Sequence, residues 1–386
     1  MHFKRQLENS IQKSINSNPV TAILGPRQCG KSTLAKQLLK KRKNAIYLDL
    51  ERPSDIQKLQ DPEWFLSKQK GKLICLDEIQ RLPEIFPLIR SLVDEWGKNG
   101  HFLILGSASQ ELIKQSSETL AGRISFKYLT PFLWTEIKKV HSIELLLERG
   151  GFPRSLLASG SNASFEWRQD FISSFLERDL LQWNYIMPQK MRKLWQMLAH
   201  LNGQLLNYSM IGKSLGISNV SVKNYAFLLE QTFMISLVSP YHSNIKKRVV
   251  KTPKIYLTDT GINCALLGIH SFEELTGHPA FGSIWESFVL ANLKGNLPDY
   301  LDYYFYRTSN GSEIDFVIEY GNKRIAVECK ASVSPSLTKG NLISINDIKP
   351  CYTFIVSPVK ESWPIKKGID VVSVSELTNR IKKILF

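Results

Sequence analysis

A glycine-rich loop at residues 25–33 constrains the fold of this chain more than any other feature of its sequence. The loop directly follows the apolar run Val20–Leu24. Two glycines flanking four residues let the backbone turn tightly and point successive N–H groups at a triphosphate, as in a strand–loop–helix phosphate site. The spacing predicts ATP binding, against the alternative of a coincidental glycine-rich turn. The residues expected to hold ATP are Gly25, Pro26, Arg27, Gln28, Cys29, Gly30, Lys31, Ser32 and Thr33.

Two carboxylates after an apolar run predict the metal and hydrolysis chemistry of the same site. Asp77 and Glu78 follow Leu73–Leu76, a pattern typical of a strand buried in a parallel sheet, with ligands at its C-terminal end. Asp77 and Ser32 are expected to hold Mg²⁺, Lys31 to contact the outer phosphates and Glu78 to activate the attacking water. A solvated surface pair is the alternative for the two carboxylates.

The fourth apolar run, Phe102–Gly106, ends at Ser107, which is placed to sense the γ-phosphate or to position the water. Together with the loop and the Asp-Glu pair, this arrangement resembles the AAA+ ATPase family over roughly residues 18–180. The resemblance implies an α/β fold with a three-layer parallel sheet in the order 5-1-4-3-2. It also implies that Ser107 is the residue called sensor 1, and that a helical lid follows the sheet.

Two arginines gain candidate roles from this resemblance. Arg123 precedes the fifth strand, where family members often carry an arginine that reaches the nucleotide of a neighbouring subunit. That role implies a homo-oligomer, and the alternative is a local ion pair with Glu118 or Glu136. Arg154 follows the turn 151–153, which looks like the turn that opens the lid in related ATPases, so it is a candidate second sensor.

Residues 206–225 have the pattern of a helix-turn-helix. Gly216 permits the turn, Ser218 caps the second helix, and the outer face of that helix carries polar residues where a recognition helix meets DNA. The basic segment 245–254 resembles the wing of a winged helix and could neutralise phosphates. A lid or an oligomer contact is the alternative role, so DNA and protein both remain candidate partners.

A second constellation lies near the C-terminus. Asp315 and Glu328 lie on two runs that read as a β-hairpin, and Lys330 shares a strand face with Glu328. This spacing resembles the PD-(D/E)xK restriction-endonuclease-like superfamily, with Ile314 in place of the proline. The resemblance implies a deoxyribonuclease site holding Mg²⁺ or Mn²⁺ on Asp315, Glu328 and Glu286, with Lys330 catalytic. The alternatives are a decayed nuclease fold kept for nucleic-acid binding, and plain surface charge.

Composition and charge fit these assignments. The chain has 386 residues and a formal net charge of +15, so two or three domains and a polyanionic partner are expected, although simple solubility charge is the alternative. No apolar run reaches the roughly 18–20 residues that span a bilayer, and five scattered cysteines suit reduced thiols. We therefore expect a cytoplasmic protein without membrane contact.

The order of these segments resembles a group of bacterial and archaeal ATP-binding proteins that join an AAA+ domain to a C-terminal domain of unknown function. The predicted segments are an ATPase domain at 1–148, a helical lid at 149–190, a winged helix-turn-helix at 191–268 and a nuclease-like domain at 269–386. The function expected is a Mg²⁺-dependent ATPase coupled to DNA binding or processing. The alternative is a nucleotide-controlled switch whose nuclease-like domain is inactive.

Overall fold

The computed structural model describes residues 3–107, 116, 118–179, 187–242 and 250–386. The chain divides into two compact units. The first contains Met1–Phe132 with Gln231–Phe233, and the second contains Leu133–Glu230 with Met234–Phe386. Half of the basic segment expected to form a wing, residues 245–249 of 245–254, lies outside the described residues. Among the residues described, no helix is both long and apolar enough to cross a membrane.

The first unit is built on a five-stranded parallel sheet in the order β2-β3-β4-β1-β5. Read from its other edge, this is the predicted order 5-1-4-3-2, so the prediction is confirmed. Every residue of β1, β3 and β4 is buried, because helices cover both faces of the central strands. The strands are β1 (Val20–Leu24), β2 (Ala45–Asp49), β3 (Leu73–Asp77), β4 (Phe102–Gly106) and β5 (Ile124–Tyr128).

The helices of this unit begin and end where local sequence dictates. The second helix begins directly after Gly30, and the fifth ends at Gly97, whose φ of +64° suits a glycine C-cap. Trp96 at the end of that helix stacks on Phe102 of β4 at 5.8 Å between ring centroids. The helices are α1 (Glu8–Ser17), α2 (Lys31–Lys40), α3 (Pro53–Lys58), α4 (Pro62–Ser67) and α5 (Phe86–Trp96), with 3-10 turns at Ile79–Arg81 and Pro83–Ile85.

The N-terminal half of the second unit is helical. Its helices are α6 (Trp134–Ile137), α7 (Ile143–Arg149), α8 (Pro153–Leu156), α9 (Ser161–Ser174), α10 (Pro188–His200), α11 (Tyr208–Leu215) and α12 (Asn219–Gln231), and a π-helical turn, Phe175–Asp179, follows α9. Gly216, with a φ of +61°, makes the turn between α11 and α12. Ser218 Oγ accepts a hydrogen bond of 3.0 Å from the Ser221 backbone N–H, which confirms the predicted cap.

A mixed eight-stranded sheet forms the rest of this unit, in the order β12-β13-β11-β10-β9-β8-β6-β7. The strands β6 and β7 belong to the segment that the sequence assigns to the winged helix-turn-helix. They extend this sheet through a parallel pairing of β6 with β8. The strands are β6 (Ile235–Pro240), β7 (Lys254–Leu257), β8 (Asp302–Arg307), β9 (Glu313–Tyr320), β10 (Lys323–Cys329), β11 (Tyr352–Val356), β12 (Trp363–Lys366) and β13 (Ile369–Val372).

The predicted C-terminal hairpin is confirmed as the antiparallel pair β9 and β10, with Val327 opposite Phe316. Continuing this register places Glu328 beside Asp315. The remaining helices of the unit are α13 (Thr260–Leu267), α14 (Phe272–Gly277), α15 (Phe281–Asn296), α16 (Lys339–Ile348) and α17 (Val374–Leu385).

Candidate functional site

The glycine-rich loop leaves β1 under tight steric constraint. A Cβ on Gly25 would lie 2.1 Å from the Leu129 carbonyl oxygen, so only glycine fits there. The loop then passes through positive φ at Gln28 (+60°) and Gly30 (+103°), conformations that let successive backbone N–H groups form a concave anion site. Cys29 is buried beneath the loop with its Sγ 3.5 Å from the Leu129 carbonyl oxygen. The loop is therefore shaped for an anion.

Lys31 lies in the loop as a buried ammonium group. Its Nζ donates hydrogen bonds of 2.9 Å to the carbonyl oxygens of Gly25 and Pro26, and the residue is 5% exposed. These acceptors are neutral, so phosphate oxygens can replace them at small electrostatic cost. Ser32, half-buried, follows in the first turn of α2, while Thr33 is exposed and Arg27 is half-buried.

Arg5 braces the loop from the N-terminal segment. Its guanidinium group donates to the carbonyl oxygens of Cys29 at 3.1 Å and Thr130 at 2.6 Å, and it lies over the Phe132 ring at 4.8 Å from the centroid. The residue is buried. A buried cation held by several carbonyls fixes the loop and the chain after β5 in one arrangement.

Asp77 ends β3 and Glu78 follows it, and neighbouring groups hydrogen-bond both carboxylates. Tyr47 OH donates to Asp77 Oδ2, and the Glu78 backbone N–H donates to Asp77 Oδ1 at 3.0 Å. Glu78 has a φ of +56°, and its side chain accepts a hydrogen bond from the Gln80 amide. Burial, and then the hydrogen bond to Asp77, raise the pKa of Tyr47, so its hydroxyl keeps its proton and acts as the donor.

Ser107 follows β4, which lies between β1 and β3 in the sheet. Because the C-terminal ends of parallel strands meet at one edge, Ser107 lies between the loop and Asp77. The same edge supplies a hydroxyl from Ser32 and a buried carboxylate from Asp77, the oxygen ligands that Mg²⁺ prefers. The residues present therefore fit a magnesium ion.

Arg123 and Arg154 have different surroundings. Arg123 forms a two-point ion pair with Asp94, with 2.9 Å between Nη2 and Oδ2, so its partner in the structure is neither of the two glutamates that the sequence suggests. Arg154 is exposed on α8 in the second unit. The nucleotide roles of both arginines remain predictions.

The turn at 151–153, expected to contact nucleotide, is held by a buried aspartate. Asp259 accepts hydrogen bonds from the backbone N–H groups of Gly151 at 2.7 Å and Ile262 at 2.9 Å. Arg168, fully buried nearby, donates to the carbonyl oxygens of Glu148 and Gly261 at 2.8 and 3.0 Å. These contacts fix the turn within the second unit.

The predicted metal ligands of the C-terminal unit surround a lysine. Lys254 Nζ lies 3.8 Å from Glu286 Oε2 and 3.7 Å from Asp315 Oδ1, and it pairs directly with Glu313 Oε1. Only 3% of its side chain is exposed. Tyr256 OH also donates to Glu286 Oε2 at 2.9 Å. We call Glu286, Glu313, Asp315 and Glu328 the carboxylate cluster.

Glu328 and Lys330 form an ion pair close to Asp315. Lys330 Nζ contacts Glu328 Oε1 at 2.7 Å, and the buried Oε2 of Glu328 has no hydrogen-bond partner among the described residues. Asp315 Oδ2 accepts from the Cys329 backbone N–H at 2.8 Å. The structure thus brings together all four C-terminal residues that the sequence selected. As the side chains of the described residues are arranged here, no three His, Cys, Asp or Glu are grouped so that they could hold a metal ion.

The charges of the cluster nearly balance internally. Four carboxylates face Lys254, Lys330 and Arg307, whose guanidinium group lies 3.3 Å from Glu313. Burial opposes the positive charge of Lys254, but the surrounding carboxylates outweigh it and raise its pKa. Burial raises the pKa of Glu286 and Asp315, and burial with the Asp315 charge raises that of Glu328 to about 8. One proton shared among the carboxylates would complete the balance.

The outer face of α12 is exposed, as the helix-turn-helix pattern predicts. It carries Asn219, Lys223 and Asn224, together with two apolar side chains, Val220 (65% exposed) and Phe227 (42% exposed). A cation, amides and apolar groups on one helix face suit contacts to phosphates and base edges.

Several residues of these sites were missed by sequence reasoning. Lys254 was assigned to the basic wing, although its alternation with Tyr256 in β7 puts both on one strand face. The apolar run containing Tyr47 gave no sign that its hydroxyl meets Asp77, and neither Arg5 nor Gln80 belongs to a motif. Of these residues, Lys254 and Tyr256 could have been placed on one strand face from the alternation in β7, and the others had no such pattern.

Three parts of the chain match known domain families. Residues 17–138 match an AAA domain, residues 140–273 a domain of unknown function (DUF8612), and residues 281–377 a domain of unknown function (DUF4143). The AAA match contains the loop, Asp77, Glu78, Ser107 and Arg123. It agrees with the sheet order of the first unit.

Two uncharacterized proteins, from Mycobacterium bovis and Mycobacterium tuberculosis, are each 34% identical to this chain over 376 residues. The alignment covers 97% of this chain and 84% of each relative. Among solved structures, the Walker-type ATPase of Pyrococcus abyssi is 15% identical, with a TM-score of 0.44 over 67% of this chain and 94% of that one.

Proposed function

The chain belongs to the same family as its two mycobacterial relatives and carries an AAA-type ATPase domain, and on that premise we propose a Mg²⁺-dependent ATPase coupled to DNA binding. The observation that carries the proposal is one edge of the first sheet. Lys31 bonds the loop carbonyls at this edge, Asp77 ends β3 with Glu78 next to it, and Ser107 follows β4, the strand between β1 and β3.

In this proposal each residue of the first site has a separate role in ATP hydrolysis. Lys31 would exchange its two carbonyl acceptors for phosphate oxygens, and Ser32 with Asp77 would hold the metal. Bound Mg²⁺ would neutralise charge developing on the phosphates. Glu78, oriented by the Gln80 amide, would accept the proton of the attacking water. Ser107 would hydrogen-bond the γ-phosphate or that water.

DNA is the proposed partner of the second unit. The net charge of +15 favours a polyanion, and the exposed face of α12 follows a turn of helix-turn-helix type. In this proposal Lys223 contacts a phosphate, while Asn224 and Val220 face base edges. A winged helix is the domain type we propose for this segment.

One set of variants tests both parts of the proposal. ATP turnover is measured with and without duplex DNA for wild type and for Glu78→Gln, with the exposed Glu84→Gln as the matched control. DNA affinity is measured against salt for Lys223→Ala, with the exposed Lys383→Ala as its control. We expect Glu78→Gln to lose turnover by about 100-fold or more, and Lys223→Ala to lower the salt slope by about one.

The ATPase part and the DNA-binding part of the proposal can each be refuted independently. Turnover unchanged in Glu78→Gln would refute its role as the base, and DNA affinity equal in the two lysine variants would remove α12 from the interface. Absence of any DNA binding by the wild type would favour a protein partner.

A second candidate is a nucleotide-controlled switch whose nuclease-like domain does not cleave DNA. The position of Lys254 between the predicted metal ligands favours it. Cleavage assays with Mg²⁺ or Mn²⁺ on linear, branched and single-stranded DNA separate the two candidates. Cleavage by wild type that is lost in Lys330→Ala would support the active nuclease.

A further inference from the structure

The carboxylate cluster already contains a cation that the chain itself provides. Lys254 Nζ lies within 4 Å of carboxylate oxygens from Glu286, Glu313 and Asp315. A metal shared by Glu286 and Asp315 would have to lie close to this ammonium group, and two cations at such a distance repel strongly in a buried site. The residues as arranged therefore do not fit the divalent ion that the fold resemblance implies.

The position of Lys254 is built into the fold. The residue begins β7, its neighbour Ile255 exchanges backbone hydrogen bonds with the 203–204 turn, and only 3% of the side chain is exposed. Its ammonium group lies over the rings of Phe305 and Tyr256, with 5.6 and 6.0 Å between Nζ and the ring centroids. An ammonium group held on several sides in this way is not a surface side chain that has folded inward by chance.

We propose that Lys254 is the resident cation of the carboxylate cluster, so that the cluster functions without a divalent metal, and that replacing Lys254 by alanine, which removes the amine and empties the space of its side chain, converts the cluster into a divalent-cation site. The buried Oε2 of Glu328, without a hydrogen-bond partner among the described residues, provides a further ligand atom. Loss of the amine together with its aliphatic chain would leave a space lined by hard oxygen ligands with excess negative charge, the donor set that Mn²⁺ and Mg²⁺ bind.

The test counts bound Mn²⁺ on the full chain without nucleotide, by electron paramagnetic resonance of the free ion. An Asp77→Asn background removes the carboxylate that the proposed ATPase site would offer to a metal ion. In that background, the Lys254→Ala variant gains one Mn²⁺ site that binds at least about tenfold more tightly than any site of the parent. Lys254→Met, whose side chain fills the same space, gains none. Adding Asp315→Asn to Lys254→Ala abolishes the new site.

Binding unchanged between the parent and a folded Lys254→Ala variant would overturn the proposal. Should Lys254→Ala not fold, Mn²⁺ binding is compared between the parent and the parent carrying Glu328→Gln. Absence of Mn²⁺ binding in the parent at millimolar concentration, or binding that Glu328→Gln leaves unchanged, supports the proposal, and binding that Glu328→Gln removes overturns it. ATP turnover is measured on the corresponding variants with Asp77 intact, so failure here is distinguishable from failure of the proposed ATPase.

Discussion

The phosphate loop and the carboxylate cluster each bury a lysine ammonium group, but they hold it with opposite kinds of acceptor. Lys31 donates to two neutral carbonyl oxygens, whereas Lys254 is surrounded by three carboxylates. Neutral acceptors leave the positive charge of Lys31 available to an incoming anion. The carboxylates neutralise the charge of Lys254. The first lysine therefore belongs to a site suited to an anionic ligand, and the second to an internal ion cluster.

The largest expected effect is on turnover at the first site. Lys31→Met removes the charge that the loop offers to phosphate, so ATP turnover should fall by about 100-fold or more. The free energy of unfolding should change little, because only two hydrogen bonds to carbonyls are lost. Steady-state turnover and urea denaturation measure the two quantities, with Lys40→Met on the same helix as the control. A large loss of unfolding free energy in Lys31→Met would contradict the comparison, because Lys31 would then be a structural cation like Lys254.

The same substitution at the second site should have the reverse pattern. Lys254→Met leaves buried carboxylates without their cation, which costs about 3–5 kcal/mol of unfolding free energy. ATP turnover of the folded fraction should be unchanged. Urea denaturation measures the loss, and Lys251→Met, exposed just before β7, is the control. Equal stability of these two variants would contradict the internal ion cluster.

A smaller effect is expected at Tyr47, which orients a predicted metal ligand. Tyr47→Phe removes the hydroxyl that donates to Asp77, and loss of such a supporting hydrogen bond lowers metal affinity by about tenfold or more. We therefore expect the Mg²⁺ concentration for half-maximal turnover to rise. Tyr352→Phe removes a similar Tyr–Asp hydrogen bond of 3.0 Å in the second unit and serves as the control. An unchanged Mg²⁺ requirement would show that Asp77 needs no such support.

The smallest effect concerns pH. The pKa of Glu328 is raised to about 8, so the folded state binds more protons than the unfolded state between its ordinary pKa of 4.5 and 8. Its contribution to stability therefore falls as pH rises through that window. Glu328→Gln should reduce the fall in melting temperature between pH 6 and 9 by about 2–4 °C.

The control for this pH effect is Glu376→Gln, because its pKa is lowered and its titration lies in the acid range. Calorimetric melting curves at several pH values measure both variants. Parallel curves for wild type and Glu328→Gln would contradict the pKa assigned to this carboxyl group.

The first site could be predicted from sequence because its signals are local. A glycine-rich turn, a continuous apolar strand and a carboxylate pair each lie within a few residues, and the sheet order follows from the family that they resemble. Tyr47 was not predictable in the same way, since its hydroxyl meets Asp77 only after β2 pairs with β3.

The C-terminal cluster was only half predictable. The hairpin spacing of Asp315 and Glu328 reflects a local register, and Lys330 follows on the same strand. Lys254 comes to the cluster from a distant part of the chain. In the sequence it belongs to the basic segment 245–254, which predicts a wing and gives no sign of the carboxylates. Asp259 likewise binds Gly151 across 108 positions, a distance that no local pattern reports.

The parallel pairing of β6 with β8 has a consequence for biosynthesis. Residues 235–240 find their partner only after residues 302–307 have left the ribosome, so an edge of β6 stays open while roughly sixty more residues are made. A chain cut near residue 268 would keep that edge permanently, and unpaired edges favour aggregation. Fragments meant to isolate the helix-turn-helix should therefore retain β8.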